Sequence, residues 1–214
     1  MNETAAARPA LIVGIGVSAG GLEAFEAFFR ACPVDTGLAF VLVPHLDPSH
    51  ESLLTEILQR ATAMPVVRAL DQIAVEADHV YIIPPNREMA ILNGMLQLDE
   101  LDRARALRMP IDGFMRSLAE DQATRAIGIL LSGTGTDGTL GLRAILASGG
   151  VSLVQAPATA KYDGMPQNAI KAGCASHALA HENWLPAFAG KGGDFLRGQL
   201  RMNSVDFCGT PTGG

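Results

Sequence analysis

The sequence predicts an α/β fold with a doubly wound, mostly parallel sheet and an antiparallel hairpin at the sheet edge. Short apolar runs alternate with amphipathic segments of helical period, which is the pattern of successive β-α-β units. The runs are almost continuously apolar, as expected for strands that are covered on both faces. With 214 residues, of which 48% are hydrophobic and 18% charged, the chain is long and apolar enough to bury one core.

The predicted strands are apolar runs that end at glycine, proline or polar residues. They are Leu11–Ile15, Leu38–Val43, Val66–Val67, His79–Ile83, Ala126–Leu131 and Val151–Val154. Two more runs, Met89–Leu92 and Met95–Leu98, flank Asn93-Gly94, which is the strongest short signal for a hairpin. This hairpin supplies the antiparallel part of the predicted sheet.

The predicted helices carry apolar residues at helical spacing between the strands. They are Leu22–Cys32, a segment through Leu53–Leu58, Asp112–Glu120, Leu140–Ala147, Pro166–Ala172 and Asn183–Phe188. Asp47 is expected to cap the second helix, with Pro48 at its first position. The folded domain is expected over residues 8–190, and the glycine-rich, polar residues 191–214 are expected to form a flexible tail or linker.

The composition excludes several classes of protein. A net charge of -6 argues against a general nucleic-acid binder, which would present a basic face. No apolar run reaches the roughly 18 residues of a membrane span, and the N-terminus lacks the pattern of a signal peptide, so a cytoplasmic protein is expected. The 3 cysteines, Cys32, Cys174 and Cys208, are too scattered for a disulfide framework or a zinc site, and no metal is expected.

Three polar residues follow three different predicted strands. Ser18 comes after the first strand, His45 after the second, and Asp137 lies in the glycine-rich loop after Ala126–Leu131. Ligands of such sheets bind beyond the carboxyl ends of the strands, so these side chains are expected at one edge. A serine hydroxyl becomes a nucleophile when a histidine takes its proton and an acid orients that histidine. The pattern therefore predicts acyl transfer by Ser18, His45 and Asp137.

The residues around Ser18 support this prediction. Residues 16–20 match G-x-S-x-G at a strand-to-helix turn, where backbone N–H groups can stabilise an oxyanion. The predicted oxyanion or substrate-binding residues are Ala19, through its amide, and the loop residues Gly133 and Thr134. The order Ser, His, Asp along the chain differs from the Ser, acid, His order of ordinary α/β-hydrolases, so that fold is not expected.

Other interpretations of these residues stay open at this point. Gly14, Gly16 and Ala19 also match a dinucleotide-binding G-x-G-x-x-A, although the acid expected at the end of the second strand is replaced by a proline and His45. The glycines could also form an ordinary tight turn. Asp163 is a rival for the orienting acid, for which a role in a turn is favoured.

The chain resembles the catalytic domain of CheB-type protein-glutamate methylesterases, which are bacterial chemotaxis enzymes. The matching stretches occur in the family's order over roughly residues 10–186: IVGIGVSAGGLEAF, FVLVPHLDPSH, VYIIPPN, ILLSGTGTDGTLGL and DGMPQNAI. The resemblance implies that Ser18, His45 and Asp137 form a triad that hydrolyses glutamate methyl esters on chemoreceptor helices, releases methanol and needs no cofactor. It also implies deamidation of receptor glutamines by the same chemistry.

The sequence departs from the family pattern in a few places. Ala19 stands where family members often have threonine, and Thr134 stands where they often have methionine. The HLDPSH stretch resembles forms fused to methyltransferase and sensor modules, so such modules, fused or separate, are expected partners. About ten residues precede the first predicted strand, so no receiver domain is expected. The rival hypothesis is a catalytically weak receptor-binding or regulatory module of a larger signalling protein.

Overall fold

A computed structural model describes residues 8–45, 54–100, 109–180 and 183, together with the backbone of residues 48–53. The strands of these residues are β1 (Ile12–Val17), β2 (Ala39–Pro44), β3 (Val66–Arg68), β4 (Ile73–Ala74), β5 (Val80–Ile82), β6 (Arg87–Leu92), β7 (Met95–Glu100), β8 (Ala126–Leu130), β9 (Val151–Gln155) and β10 (His177–Leu179). The helices are α1 (Gly21–Ala31), α2 (Pro48–Ala61), α3 (Pro110–Gln122), α4 (Thr139–Ala147) and α5 (Gly164–Lys171).

Seven strands form one sheet in the order β10-β9-β8-β1-β2-β5-β3, and every neighbouring pair is parallel. The chain moves outward from β1 to β2 and later returns to β8 on the other side of β1. The strand order thus reverses at β1, and the crevice beyond the carboxyl ends at such a reversal is where ligands bind in these sheets. The predicted doubly wound α/β fold is confirmed.

Helices cover both faces of this sheet. On one face α1 packs its phenylalanines against β2, and the rings of Phe29 and Phe40 meet edge to face with centroids 5.6 Å apart. On the other face, side chains of α3, α4 and α5, among them Phe114, Leu142 and Met165, form a second buried cluster. Strands buried on both faces explain why the apolar runs of the sequence are nearly continuous.

The glycines inside β1 permit α3 to approach the sheet closely. A Cβ atom at Gly16 would lie 2.4 Å from Cγ2 of Ile111 and 2.9 Å from Cδ2 of Leu130, and one at Gly14 would lie 3.0 Å from Leu118. The glycines of the apparent dinucleotide motif therefore lie within a buried strand, where a helix packs on them. This packing accounts for their presence without a bound nucleotide.

Gly16→Ala should therefore lower the free energy of unfolding by about 1–3 kcal/mol, as expected for overpacking of a filled core. The matched control is Gly113→Ala in α3, where an added Cβ would meet nothing within 4 Å. That control should raise stability by roughly 0.5–1 kcal/mol, because alanine loses less backbone entropy in a helix than glycine. Urea denaturation of both variants checks the pair. Equal stability of the two variants would contradict the close packing of α3 on β1.

The hairpin at Asn93-Gly94 forms as predicted, with φ of 53° and 73° at its two turn residues. It does not extend the edge of the parallel sheet. Instead β6 and β7 join β4 in a separate three-stranded antiparallel sheet, β4-β7-β6. The Ser117 hydroxyl of α3 accepts a hydrogen bond from the Ile91 amide at 3.0 Å, and Asp121 accepts bonds from both turn amides. The hairpin is thus bound to α3.

Some predictions fall on parts of the chain outside the described residues. These are the cap Asp47, the helix Asn183–Phe188 apart from its first residue, and the tail 191–214. The boundaries of the folded domain therefore stay predictions. Among the described residues, no helix is both long and apolar enough to cross a bilayer.

Candidate active site

The carboxyl ends of three adjacent strands place the three predicted catalytic residues together. In the β1–β2 register Val17 is opposite Pro44, so Ser18 and His45 follow directly on neighbouring strands, and the His45 amide donates to the Val17 carbonyl at 2.7 Å. The loop that carries Asp137 follows β8, which pairs with β1 on its other side. The expected convergence at one edge of the sheet is therefore present in the structure.

A tight turn presents Ser18 between β1 and α1. The Gly21 amide donates to the Ser18 carbonyl at 2.9 Å, and Gly20 adopts a left-handed conformation with φ of 69°. The Ser18 hydroxyl donates to the backbone carbonyl of His45 at 3.4 Å. To act as the predicted nucleophile, this hydroxyl would have to turn from the carbonyl to the imidazole.

The imidazole of His45 faces the acid through Nδ1, which lies 3.7 Å from Oδ2 of Asp137. This distance is that of an ion pair and exceeds a hydrogen bond. Catalytic hydrogen bonds are often long before substrate binds and tighten in the Michaelis complex. The His45 side chain is 45% exposed, whereas that of Asp137 is 3% exposed, so the imidazole is open to solvent and the carboxylate beside it is buried. With Nδ1 toward the acid, Nε2 is the nitrogen left to exchange a proton with Ser18.

The carboxylate of Asp137 is fixed at the start of α3. It accepts hydrogen bonds from the amides of Asp112, at 2.9 Å, and Ile111, at 3.2 Å. Burial raises the pKa of Asp137 above its ordinary value, and the two backbone bonds only partly offset this effect. The neighbouring Asp112 carboxylate raises the pKa further, while His45 lowers it.

This raised pKa predicts how the stability of the protein changes with pH. The folded state holds the Asp137 proton more tightly than the unfolded chain, so wild-type stability falls as the pH rises from the ordinary carboxyl value through the folded pKa. Asp137→Asn lacks this titration. Its free energy of unfolding, relative to wild type, should therefore rise over the same pH window, as measured by urea denaturation of both proteins. The opposite slope would show that the two backbone bonds outweigh the cost of burial.

The predicted oxyanion residues differ in what their amides do. The Gly133 amide donates to the Tyr162 carbonyl at 2.9 Å, so Gly133 does not supply a free donor in this structure. Its contribution is close packing, because a Cβ atom there would lie 2.2 Å from Sδ of Met165 and 3.0 Å from Cβ of Ser18. The amides of Ala19 and Thr134 make no hydrogen bond to the described part of the chain and stay candidate donors.

Residues that the sequence did not single out hold these loops together. Ser132 is 1% exposed. Its hydroxyl donates a hydrogen bond to the Ala19 carbonyl at 2.9 Å and accepts one from the Tyr162 amide at 3.0 Å. It thereby joins the turn after β1, the loop after β8 and the segment before α5. Its position directly before the glycine-rich loop was the only sequence signal. The rival acid Asp163 instead lies at the N-cap of α5 and accepts a bond from Gln167.

The described residues were also compared with the requirements of a metal site. Within the described residues, no group of three His, Cys, Asp or Glu side chains is placed to hold a metal ion. The groups assembled at the carboxyl edge are a hydroxyl, an imidazole and a buried carboxylate, which is the set required for acyl transfer to serine.

Comparison with known proteins agrees with this chemistry. The model of the CheB methylesterase family matches residues 13–186. The structure superimposes on the catalytic domain of Thermotoga maritima CheB methylesterase with a TM-score of 0.76 and 27% identity, covering 83% of this chain and 96% of that one. The chain is 35% identical over 176 residues to protein-glutamate methylesterase/protein-glutamine glutaminase 3 of Burkholderia orbicola.

Two of the matched relatives are longer than this chain. The alignment covers 82% of this chain but 52% of the Burkholderia protein. It covers 75% of this chain but only 16% of an uncharacterized 104.1 kDa protein of Rhodobacter capsulatus, which is 39% identical over 160 residues. The chain thus spans about half of the Burkholderia methylesterase and a small part of the Rhodobacter protein. Since the family model covers most of the residues, the chain belongs to the CheB methylesterase family.

Proposed function

We propose that this chain is a serine hydrolase that removes methyl esters from glutamate side chains of methylated chemoreceptors. The observation that carries the proposal is the buried Asp137 carboxylate 3.7 Å from the imidazole of His45, whose carbonyl accepts the Ser18 hydroxyl. Family membership and the names of the relatives support the choice of ester. Chemoreceptor helices are therefore the proposed partners.

The proposed reaction has two halves. Ser18 Oγ attacks the ester carbonyl while Nε2 of His45 takes its proton, and the tetrahedral oxyanion is stabilised by the amides of Ala19 and Thr134. Collapse breaks the bond to the methoxy group, which leaves as methanol with the proton from His45. Water, deprotonated by His45, then cleaves the acyl-enzyme to a glutamate carboxylate and restores the Ser18 hydroxyl.

The same groups can deamidate glutamine. The acyl-enzyme is identical, and His45 gives its proton to an ammonia leaving group instead of methanol. This second activity is proposed because relatives carry both activities in their names. The two activities differ only in the leaving group, so one set of side chains serves both.

Two measurements test the proposed function. The protein should release methanol from membranes that contain methylated receptors and none from membranes with unmethylated receptors, which are the control. A fluorophosphonate should label Ser18, identified by peptide mass spectrometry. A receptor-binding module without activity would bind the membranes, release no methanol and leave Ser18 unlabelled, and this outcome would overturn the proposal.

A further inference from the structure

At the N-terminus of each of the helices α3 and α4, backbone amides donate hydrogen bonds to a carboxylate that comes from the other helix or from the residues just before it. Neither helix has a side-chain hydrogen bond from its own N-cap residue, Met109 for α3 and Gly138 for α4. Asp137, which precedes α4, instead accepts the amides of residues 111 and 112 in the first turn of α3. Asp112 of α3 in turn accepts the amide of Gly141, in the first turn of α4, at 2.7 Å.

The two helices are in close contact at this point. A Cβ atom at Gly141 would lie 2.6 Å from Cβ of Met115 and 3.3 Å from Cα of Asp112. Asp112 is 3% exposed, so its carboxylate interacts with neighbouring protein groups and not with solvent. Carboxylates at helix N-termini satisfy unpaired amides and interact favourably with the helix dipole. The reciprocal pair therefore fixes α3 and α4 relative to each other.

We infer that Asp112 is a positioning residue of the catalytic site: by holding the first turn of α4 it sets the place of the Asp137 carboxylate beside His45. This inference rests on the proposed function, since it gives Asp112 a role in the same triad. Asp137 links the two helices, because it is hydrogen-bonded to the first turn of α3 and lies two residues before α4 begins at Thr139. A shift of α4 toward or away from α3 would therefore change the distance from Asp137 to His45, and misplacement of about 1 Å can cost on the order of 10²-fold in rate.

Electrostatics alone would assign Asp112 a different role. Among the described residues, the charged or titratable groups that act on the Asp137 carboxyl are Asp112 and His45, and the negative charge of Asp112 raises the pKa of Asp137. If charge were the contribution of Asp112, removing it would impair the site even when the hydrogen bond to Gly141 is kept. Variants that separate charge from geometry distinguish these two roles.

Asp112→Asn keeps an acceptor oxygen for the Gly141 amide at the right place and removes the charge, whereas Asp112→Glu keeps the charge and displaces the acceptor by one methylene. The rate of Ser18 labelling by a fluorophosphonate, measured on the full chain, needs no receptor. If Asp112 is a positioning residue, Asp112→Asn should retain most of the wild-type labelling rate. Asp112→Glu and Asp112→Ala should lower that rate by up to roughly 10²-fold. In Asp112→Asn the pKa of Asp137, followed by its ¹³Cγ resonance, should fall as the charge is lost.

The matched control is Asp121→Ala. Asp121 lies on the same helix and also accepts two backbone amides, but at the hairpin turn, so its loss should leave the labelling rate unchanged. With methylated receptors, Asp112→Glu should lower kcat and leave KM unchanged. Its circular dichroism spectrum should match that of the wild type, which separates displacement of the acid from a general loss of folding. If Asp112→Ala does not fold, the comparison of Asp112→Asn with Asp112→Glu still tests the inference.

Two results would overturn the inference: a Glu variant that labels as fast as wild type, or an Asn variant as slow as Glu. The outcome for the proposed function is separate. Wild-type protein that labels at Ser18 but releases no methanol contradicts the proposed substrate and leaves the role of Asp112 intact. Wild-type protein that does not label at all contradicts both.

Discussion

Ser18→Ala should lower kcat for methanol release by roughly 10⁶-fold, the scale found when the nucleophile of a serine hydrolase is removed. Without the hydroxyl no acyl-enzyme forms, and what remains is stabilisation of the oxyanion and binding of the substrate. The turn should be unaffected, because the backbone bond from Gly21 to the residue 18 carbonyl does not involve the side chain. Methanol release from methylated receptor membranes measures the loss.

The control for this variant is Ser148→Ala, at the C-cap of α4 and away from the carboxyl edge of the sheet. It should release methanol at the wild-type rate. Binding of Ser18→Ala to receptor membranes should also be unchanged, since the lost interaction belongs to the transition state. Turnover by Ser18→Ala close to wild type would exclude Ser18 as the nucleophile.

The fold was predictable because its strands are buried on both faces. In β1 and β2 every residue is buried, so each appears in the sequence as an unbroken apolar run. The strands β4 and β10, which the sequence did not predict, have no such apolar run. β4 has only two residues, and the three residues of β10 are all half-buried. The separate three-stranded sheet was missed for the same reason, because β4 is what gives the hairpin a third strand.

The meeting of Ser18, His45 and Asp137 at one edge of the sheet was predictable for a topological reason. Parallel strands put their carboxyl ends at one edge, so a serine, a histidine and an acid that each follow a strand must lie near one another. The occupied amide of Gly133 could not be foreseen, since its acceptor is the carbonyl of Tyr162 from a distant segment. The partners of Asp112 depend likewise on how closely α4 approaches α3, which is decided by tertiary packing.

The glycines of β1 show how one pattern can have several physical causes. G-x-G-x-x-A and G-x-S-x-G overlap at residues 14–20, and spacing alone does not separate a phosphate loop from a nucleophile turn. The structure assigns Gly14 and Gly16 to helix packing and Gly20 to the left-handed turn that follows Ser18. Each glycine has its own cause, and together they place a serine at the end of a buried strand.

His45→Ala should lower kcat about as much as Ser18→Ala, again roughly 10⁶-fold, because a serine without its base is a poor nucleophile. Methanol release is the measurement, as for Ser18. His79→Ala is the matched control: His79 lies just before β5, its Nδ1 is 2.8 Å from the carbonyl of Ala77, and its loss should leave methanol release unchanged.

The double variant Ser18→Ala/His45→Ala gives the sharper result. If the two side chains act as one unit, the first substitution removes all that the second could remove, and the double variant should be no slower than either single variant. Independent contributions would instead multiply to a loss far beyond 10⁶-fold, below the detection of methanol release. A double variant clearly slower than both single variants would show that the imidazole, whose Nδ1 lies 3.7 Å from the Asp137 carboxylate, serves the reaction by some route other than activating Ser18.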